Sequence, residues 1–258
     1  MDWTPVSYAY DGSFAGFLTC VFASYAHREE PMSFSTPEDG RISLWPERTV
    51  DTDETRAQRV YRSLAPRLGQ EGRRLAVYGF LTCLEERELH LWRFLRLGYD
   101  RGPWVVRDLT DDRVAVLTRA VGHLTGEAHL LKGFTRFSEQ EGVLVGEIAP
   151  KNRVLPLLRP HFCARYPEES FVLYDRTHRE ALFYRPRRWA IVPLEAFRAA
   201  APGREERDFR RLWRRFYDPI HIRGRENPRC RMTQMPKRFW GTMTEFQNET
   251  EERKALAP

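Results

Sequence analysis

Glu127, His129, His161, Asp175 and His178 are of the types that transfer protons or bind metals, and they fall within a short stretch of the chain. Glu127-Ala-His129 can project two such groups from one element, with His161 and Asp175 supplying a metal ligand or acid/base partners. Their spacing fits no metal-binding motif. Each histidine also suits an ordinary surface or core position, and Asp175-Arg-Thr-His-Arg179 reads as a turn between two strands, started by the aspartate. The sequence holds no phosphate-binding P-loop, no G-x-G-x-x-G and no G-x-S-x-G. The expectation is therefore no metal and no cofactor, with Glu127, His129, His161 and Asp175 as the candidates should the chain process its substrate itself.

The cysteines offer less. Cys20, Cys83, Cys163 and Cys230 lie far apart with no C-x-x-C pair, which excludes a zinc ribbon, an iron–sulfur cluster and a disulfide scaffold. Three of them stand in apolar surroundings and read as core residues. Cys230, between Arg229 and Arg231, has the setting for a lowered thiol pKa, but no base is evident beside it.

A basic block near the C-terminus is more informative. Only Lys132, Lys151, Lys237 and Lys254 are lysine, so nearly all of the 42 basic residues are arginine, which forks onto phosphates and stacks on flat rings. A GC-rich codon bias explains that ratio equally well, but it does not explain position. Arg204–Trp240 holds twelve Lys/Arg against five Asp/Glu, a net of +7, while the rest of the chain sums to −1. At 100° per residue, Phe209, Leu212, Trp213 and Phe216 share one helical face. Arg204, Arg207, Arg210, Arg211, Arg214 and Arg215 fall opposite them. Arg223, Arg225, Asn227, Arg229, Arg231, Gln234, Lys237, Arg238 and Trp240 follow. Arginine and lysine hold phosphates, the amides can read base edges, and Phe239 or Trp240 can stack on an unpaired base. The plainer reading makes Phe239 and Trp240 core anchors of a last helix that begins at Pro236.

These groups need elements to position them. An alternating Val6–Tyr10 predicts a strand, and Phe14, Phe17, Leu18, Val21, Phe22 and Tyr25 predict a helix after the Asp11-Gly12-Ser13 turn. Residues 31–50 look turn-rich, with a short strand at Ile42–Trp45. Asp51 and Thr52 are set to cap a second helix through Val60, Leu64 and Leu68. A longer helix is predicted from Arg73 to Leu97, broken at Gly98–Pro103, and another is centred on Val114–Leu131. The period then changes. Phe134–Phe137 and Leu144–Ile148 read as a hairpin, Leu155–Tyr166 as a short helix, and Phe171–Tyr174, Ala181–Tyr184 and Trp189–Val192 as strands. The expected fold is α+β: a helical N-terminal half (1–132), a mainly antiparallel sheet with helices (133–198), a basic helical segment (204–244) and a flexible tail (245–258).

Composition agrees with a folded chain. With 258 residues, 41% hydrophobic and 30% charged, disorder, collagen and coiled coil are excluded. The most apolar stretch, Phe14–Ala23, is too short to span a bilayer and has acidic residues upstream, so neither a membrane span nor a signal peptide is expected. A cytoplasmic, nucleoid-associated location follows as an expectation.

Asn227-Pro-Arg229, Gln234-Met-Pro-Lys-Arg-Phe-Trp240 and Thr244-Glu245 resemble the C-terminal block of a bacterial family described as DNA metabolism or DNA repair proteins of uncharacterised mechanism. Tyr10-Asp-Gly-Ser-Phe14, Gly133-Phe-Thr-Arg-Phe137 and His161-Phe162 with Arg165 resemble other blocks of it, so the likeness spans nearly the whole chain. Phe239 stands where that family is expected to have Tyr. The resemblance implies a radical SAM protein or a uracil-DNA-glycosylase-like protein as partner, and it carries no catalytic residues over. No C-x-x-x-C-x-x-C cluster is present, so any radical chemistry belongs to the partner. The resulting expectation is a DNA-binding accessory protein. The alternatives are a glycosylase, lyase or nuclease using Glu and His groups, and an RNA- or protein-binding module.

Overall fold

Thr4–Ala9 form strand β1, in which Val6, Ser7 and Tyr8 are all buried, as in a central strand covered on both faces. The computed structural model describes residues 3–37, 43–195, 197 and 236–243. The chain divides into two units, Met1–Leu124 and Thr125–Pro258.

In the first unit β1 pairs in parallel with β2 (Glu29–Ser35) on one side and β3 (Glu47–Thr49) on the other. Helix α1 (Phe14–His27) connects β1 to β2, and the Ser13 hydroxyl caps it by accepting from the Gly16 amide at 2.9 Å. The parallel sheet corrects the turn-rich reading of residues 31–50. Glu29, Glu30 and Pro31 hide the strand pattern, yet Glu29 is buried, where it accepts from the Tyr8 hydroxyl and pairs with Arg48.

Helix α2 (Glu54–Phe80) is capped by Asp53, one residue beyond the expected cap, and Asp53 accepts from the Arg56 amide at 3.0 Å. Gly69, at φ 75°, kinks it. The predicted helix over Arg73–Leu97 is in fact two, because α2 ends at Phe80 and α3 runs from Arg87 to Arg101. Thr82 Oγ1 donates to the Gly79 carbonyl at 2.6 Å and takes the acceptor that a continuing helix needs. Gly98 does not break α3. A Cβ there would lie 2.6 Å from Leu68 Cδ2, so glycine lets the two helices approach closely. A 3₁₀ helix (Pro103–Arg107) follows. Trp92, Phe94, Leu64, Leu68 and Phe17 form the core, and burying each such side chain contributes about 2 kcal/mol. Cys20 is buried there, which pushes its thiol up to about 12, whereas Cys83, expected in the core, is exposed in the break between α2 and α3.

Helix α4 (Asp112–Phe134) crosses the boundary between the units. The second unit then builds a five-stranded sheet in sequence order: β4 (Phe137–Gln140), β5 (Val143–Ile148), β6 (Ser170–Asp175), β7 (Glu180–Arg185) and β8 (Arg188–Pro193). All neighbours are antiparallel except β5 and β6, which run parallel because α5 (Leu155–Arg165) carries the chain back between them. An aromatic seam joins α5 to the sheet: Phe162 lies 5.2 Å from Phe137 and 6.5 Å from Phe171, and Phe171 stacks on Tyr184 at 4.9 Å. The architecture is therefore α+β, helical first and with a mixed sheet second. No helix among the described residues is long and apolar enough to cross a membrane. The expected basic helix in 204–235 and the tail at 245–258 lie outside the described residues.

Candidate functional site

The parallel strands β5 and β6 end together, with Ile148 opposite Asp175 and Asp175 opposite Glu180 on β7. Polar groups gather at this end of the sheet, the place where open sheets of parallel strands commonly hold their sites. Glu127 of α4 is only 3% exposed. Its Oε1 accepts from the Lys151 amide at 3.0 Å, and its Oε2 accepts from the Asn152 amide at 2.9 Å and the Asn152 side chain at 2.6 Å. The Arg238 guanidinium completes the set, 3.3 Å from Oε1. A buried carboxylate is tolerated only when paired and hydrogen-bonded in this way. With its oxygens so engaged, Glu127 acts as an anchor, holding the loop after β5 and the C-terminal 3₁₀ helix (Lys237–Thr242).

Asp175 is fully buried at the start of the β6–β7 turn. Its Oδ1 accepts from the Thr177 and His178 amides at 3.0 and 3.2 Å, which is the turn chemistry expected of it. Its Oδ2 lies 2.7 Å from His178 Nδ1. A donating Nδ1–H leaves Nε2 as the basic end of the ring, the arrangement that orients an imidazole for proton transfer. Beside this pair, Arg153 binds Glu180 and Arg176 binds Glu147 at 3.0 Å.

His129 is exposed. Two residues beyond Glu127 on a helix, it points about 200° away, so the two do not act together. His161 sits on α5 with its Nε2 buried and without a hydrogen-bond partner among the described residues. Burial, Lys132 and Arg165 hold its pKa below the usual imidazole range. Glu127, His129, His161 and Asp175 thus share no hydrogen bond. Among the described residues, no group of three or more His, Cys, Asp or Glu is placed to hold a metal ion.

Of the candidate nucleic-acid contacts, Lys237, Arg238 and Trp240 are described. Lys237 and Arg238 are exposed, Trp240 is partly buried, and the Lys237 ammonium lies 5.9 Å from the Trp240 ring. Phe239 is the anchor, 2% exposed and 5.5 Å from Phe134, and Met243 is buried beyond it. Arg207, Arg210, Arg211, Arg214, Arg215, Arg223, Arg225, Asn227, Arg229, Arg231 and Gln234 lie outside the described residues. Sequence reasoning missed Asn152, whose link to Glu127 left no local signal.

Fold and site together define a two-unit α+β protein in which the end of a basic block is tied to a mixed sheet through a buried carboxylate. The chain belongs to the DUF4130 family, a domain of unknown function, whose model matches residues 85–245. That match takes in α3, α4, the whole second sheet and the C-terminal 3₁₀ helix. No curated protein matches the chain.

Proposed function

We propose that this protein binds DNA through its basic block, residues 204–240, and presents it to a partner enzyme of the radical SAM or uracil-DNA-glycosylase type. The observation that carries this reading is the localisation of charge: the block holds +7 and the remainder −1. Such a segment attracts a polyanion whatever its sequence, by releasing the counterions condensed on it. The exposed Lys237 and Arg238 give the described end of the block the right chemistry, and the buried Phe239 fixes that end to the second unit. An accessory role fits better than intrinsic processing by Glu127, because its carboxylate is committed to Lys151, Asn152 and Arg238.

The test is fluorescence-anisotropy binding to single-stranded, duplex and uracil-containing DNA across a salt series. A variant with Arg210, Arg211, Arg214 and Arg215 changed to Gln is measured alongside. The reading expects a steep loss of affinity with salt and no binding by the variant while its fold is retained. Full-strength binding by the variant refutes it.

A further inference from the structure

The tip of the β7–β8 hairpin is Arg185-Pro-Arg-Arg188, followed at once by Trp189, and every residue of this run is exposed. Arg185 and Arg188 stand directly opposite each other in register. Like charges so placed repel, and protein sheets usually avoid them. Arg187, between them, has φ 66°, a backbone conformation that favours Gly or Asn. Folding alone thus disfavours these arginines at this tip.

Nor are the charges answered nearby. Around the same sheet, Arg153 of the loop after β5 pairs with Glu180, and Arg176 of the turn after β6 with Glu147. In the first unit Arg48, Arg87 and Arg113 each meet a carboxylate within 3 Å. Arg185, Arg187 and Arg188 have no ion-pair partner among the described residues, so each guanidinium keeps its fork of donors for an outside anion.

The tryptophan beside them is built as a platform. Trp189 is 51% exposed although it stands opposite Tyr184, whose buried ring stacks on Phe171 at 4.9 Å. The Arg159 guanidinium of α5 lies over the indole, 4.1 Å from the ring. That contact holds the ring in place while half of the residue stays open.

We propose that this hairpin tip is a second nucleic-acid interface, specific for a single strand: an unpaired base stacks on Trp189, and its flanking phosphates are held by Arg185, Arg187 and Arg188. Guanidinium forks on phosphates beside an exposed aromatic ring form the combination that binds unpaired strands without sequence preference. In a duplex the bases are stacked on one another and do not reach the indole. The choice of DNA as the polymer rests on the reading given under Proposed function. The strand preference rests on the hairpin alone.

Four forms of the full-length chain test this: wild type, Trp189→Ala, Trp189→Phe, and the triple variant Arg185→Gln, Arg187→Gln, Arg188→Gln. Each is titrated with a fluorescein-labelled 20-nucleotide DNA strand, with its duplex, and with the RNA of the same sequence. The change Trp189→Ala is expected to weaken single-strand binding about ten-fold and leave duplex binding unchanged, the size of one lost stacking contact. Trp189→Phe recovers most of the loss, and the triple variant loses at least as much as Trp189→Ala. Equal losses on strand and duplex, or none, overturn the proposal, and so does a preference for the RNA strand that Trp189→Ala leaves intact. The variant of Arg210, Arg211, Arg214 and Arg215 separates the two readings. If it binds normally while the hairpin variants fail, the basic block falls and the hairpin stands. The opposite pattern removes the hairpin, and wild type that binds no DNA removes both.

Discussion

Arg238 meets Glu127 at 3.3 Å, a half-exposed cation on a nearly inaccessible carboxylate, and this contact joins the end of the basic block to the loop after β5. Because the same carboxylate holds the Lys151 and Asn152 amides, the 3₁₀ helix and the end of the parallel strand pair share one anchor. Phe239 and Met243 bury the apolar side of that helix, leaving Lys237 exposed while Arg238 turns onto Glu127 with part of its side chain open to solvent.

Removing the anchor is costly. Glu127→Ala leaves the Lys151 amide, the buried Asn152 amide and the Asn152 side chain without an acceptor, and it is expected to destabilise the fold by about 3 kcal/mol. Arg238→Ala is expected to cost less, about 1.5 kcal/mol, since Glu127 keeps its N–H donors but loses the cation that answers its buried charge. Urea denaturation of the two variants checks the difference.

Asp175 holds its turn by two backbone bonds and one imidazole. Asp175→Ala is expected to lose about 2 kcal/mol, and His178→Ala about half as much, because the alanine at 178 leaves both amide bonds in place. Thermal unfolding of both variants measures this.

His161 gives the stability a pH dependence of known sign. Its folded-state pKa lies below the unfolded value, owing first to burial and then to Lys132 and Arg165. The unfolded chain therefore binds the proton more readily, so stability is complete above the unfolded pKa of about 6.5 and declines as the pH falls through the folded pKa. Between pH 7 and pH 5 the urea midpoint is expected to fall more in wild type than in His161→Gln. An equal fall in both counts against the assignment.

Gly98 and Leu68 make a packed pair. Gly98→Ala forces a methyl group into the Leu68 side chain and is expected to cost about 2 kcal/mol. Adding Leu68→Ala gives the new methyl room, so the double variant is expected to be more stable than the sum of the two single changes implies, read as a coupling energy in a double-mutant cycle.

Strands β5 to β8 were legible in the sequence because they are short runs of Val, Leu, Phe and Tyr set off by Gly, Pro and charged turns. The first strand of that sheet, expected at Phe134–Phe137, lies at Phe137–Gln140 because α4 runs on to Phe134. The first sheet was not legible. Glu29, Glu30 and Pro31 make a poor strand signature, and the pairing of β2 to β1 depends on contacts such as Tyr8 with Glu29 that no local window contains. Leucine spacing runs on through residues 81–86, so the break set by Thr82 was invisible. At the candidate site, Glu127 and Asp175 stood out by type, and the Asp175 turn by spacing. The partners of Glu127, Asn152 and Arg238, lie far along the chain and left no periodic trace. The hairpin arginines were overlooked for a different reason: charge summed over long segments cancels them against Glu168, Glu169, Asp175 and Glu180, although none of these pairs with them.

The measurement that bears most directly on the proposed role is the affinity of the full-length chain for a DNA strand as salt is raised from about 50 to 200 mM. Phosphate contacts by several arginines give a straight line of steep negative slope in a plot of log K against log salt, and the variant of Arg210, Arg211, Arg214 and Arg215 shows no binding. Binding that does not respond to salt, or no binding at any salt, contradicts a DNA-binding role.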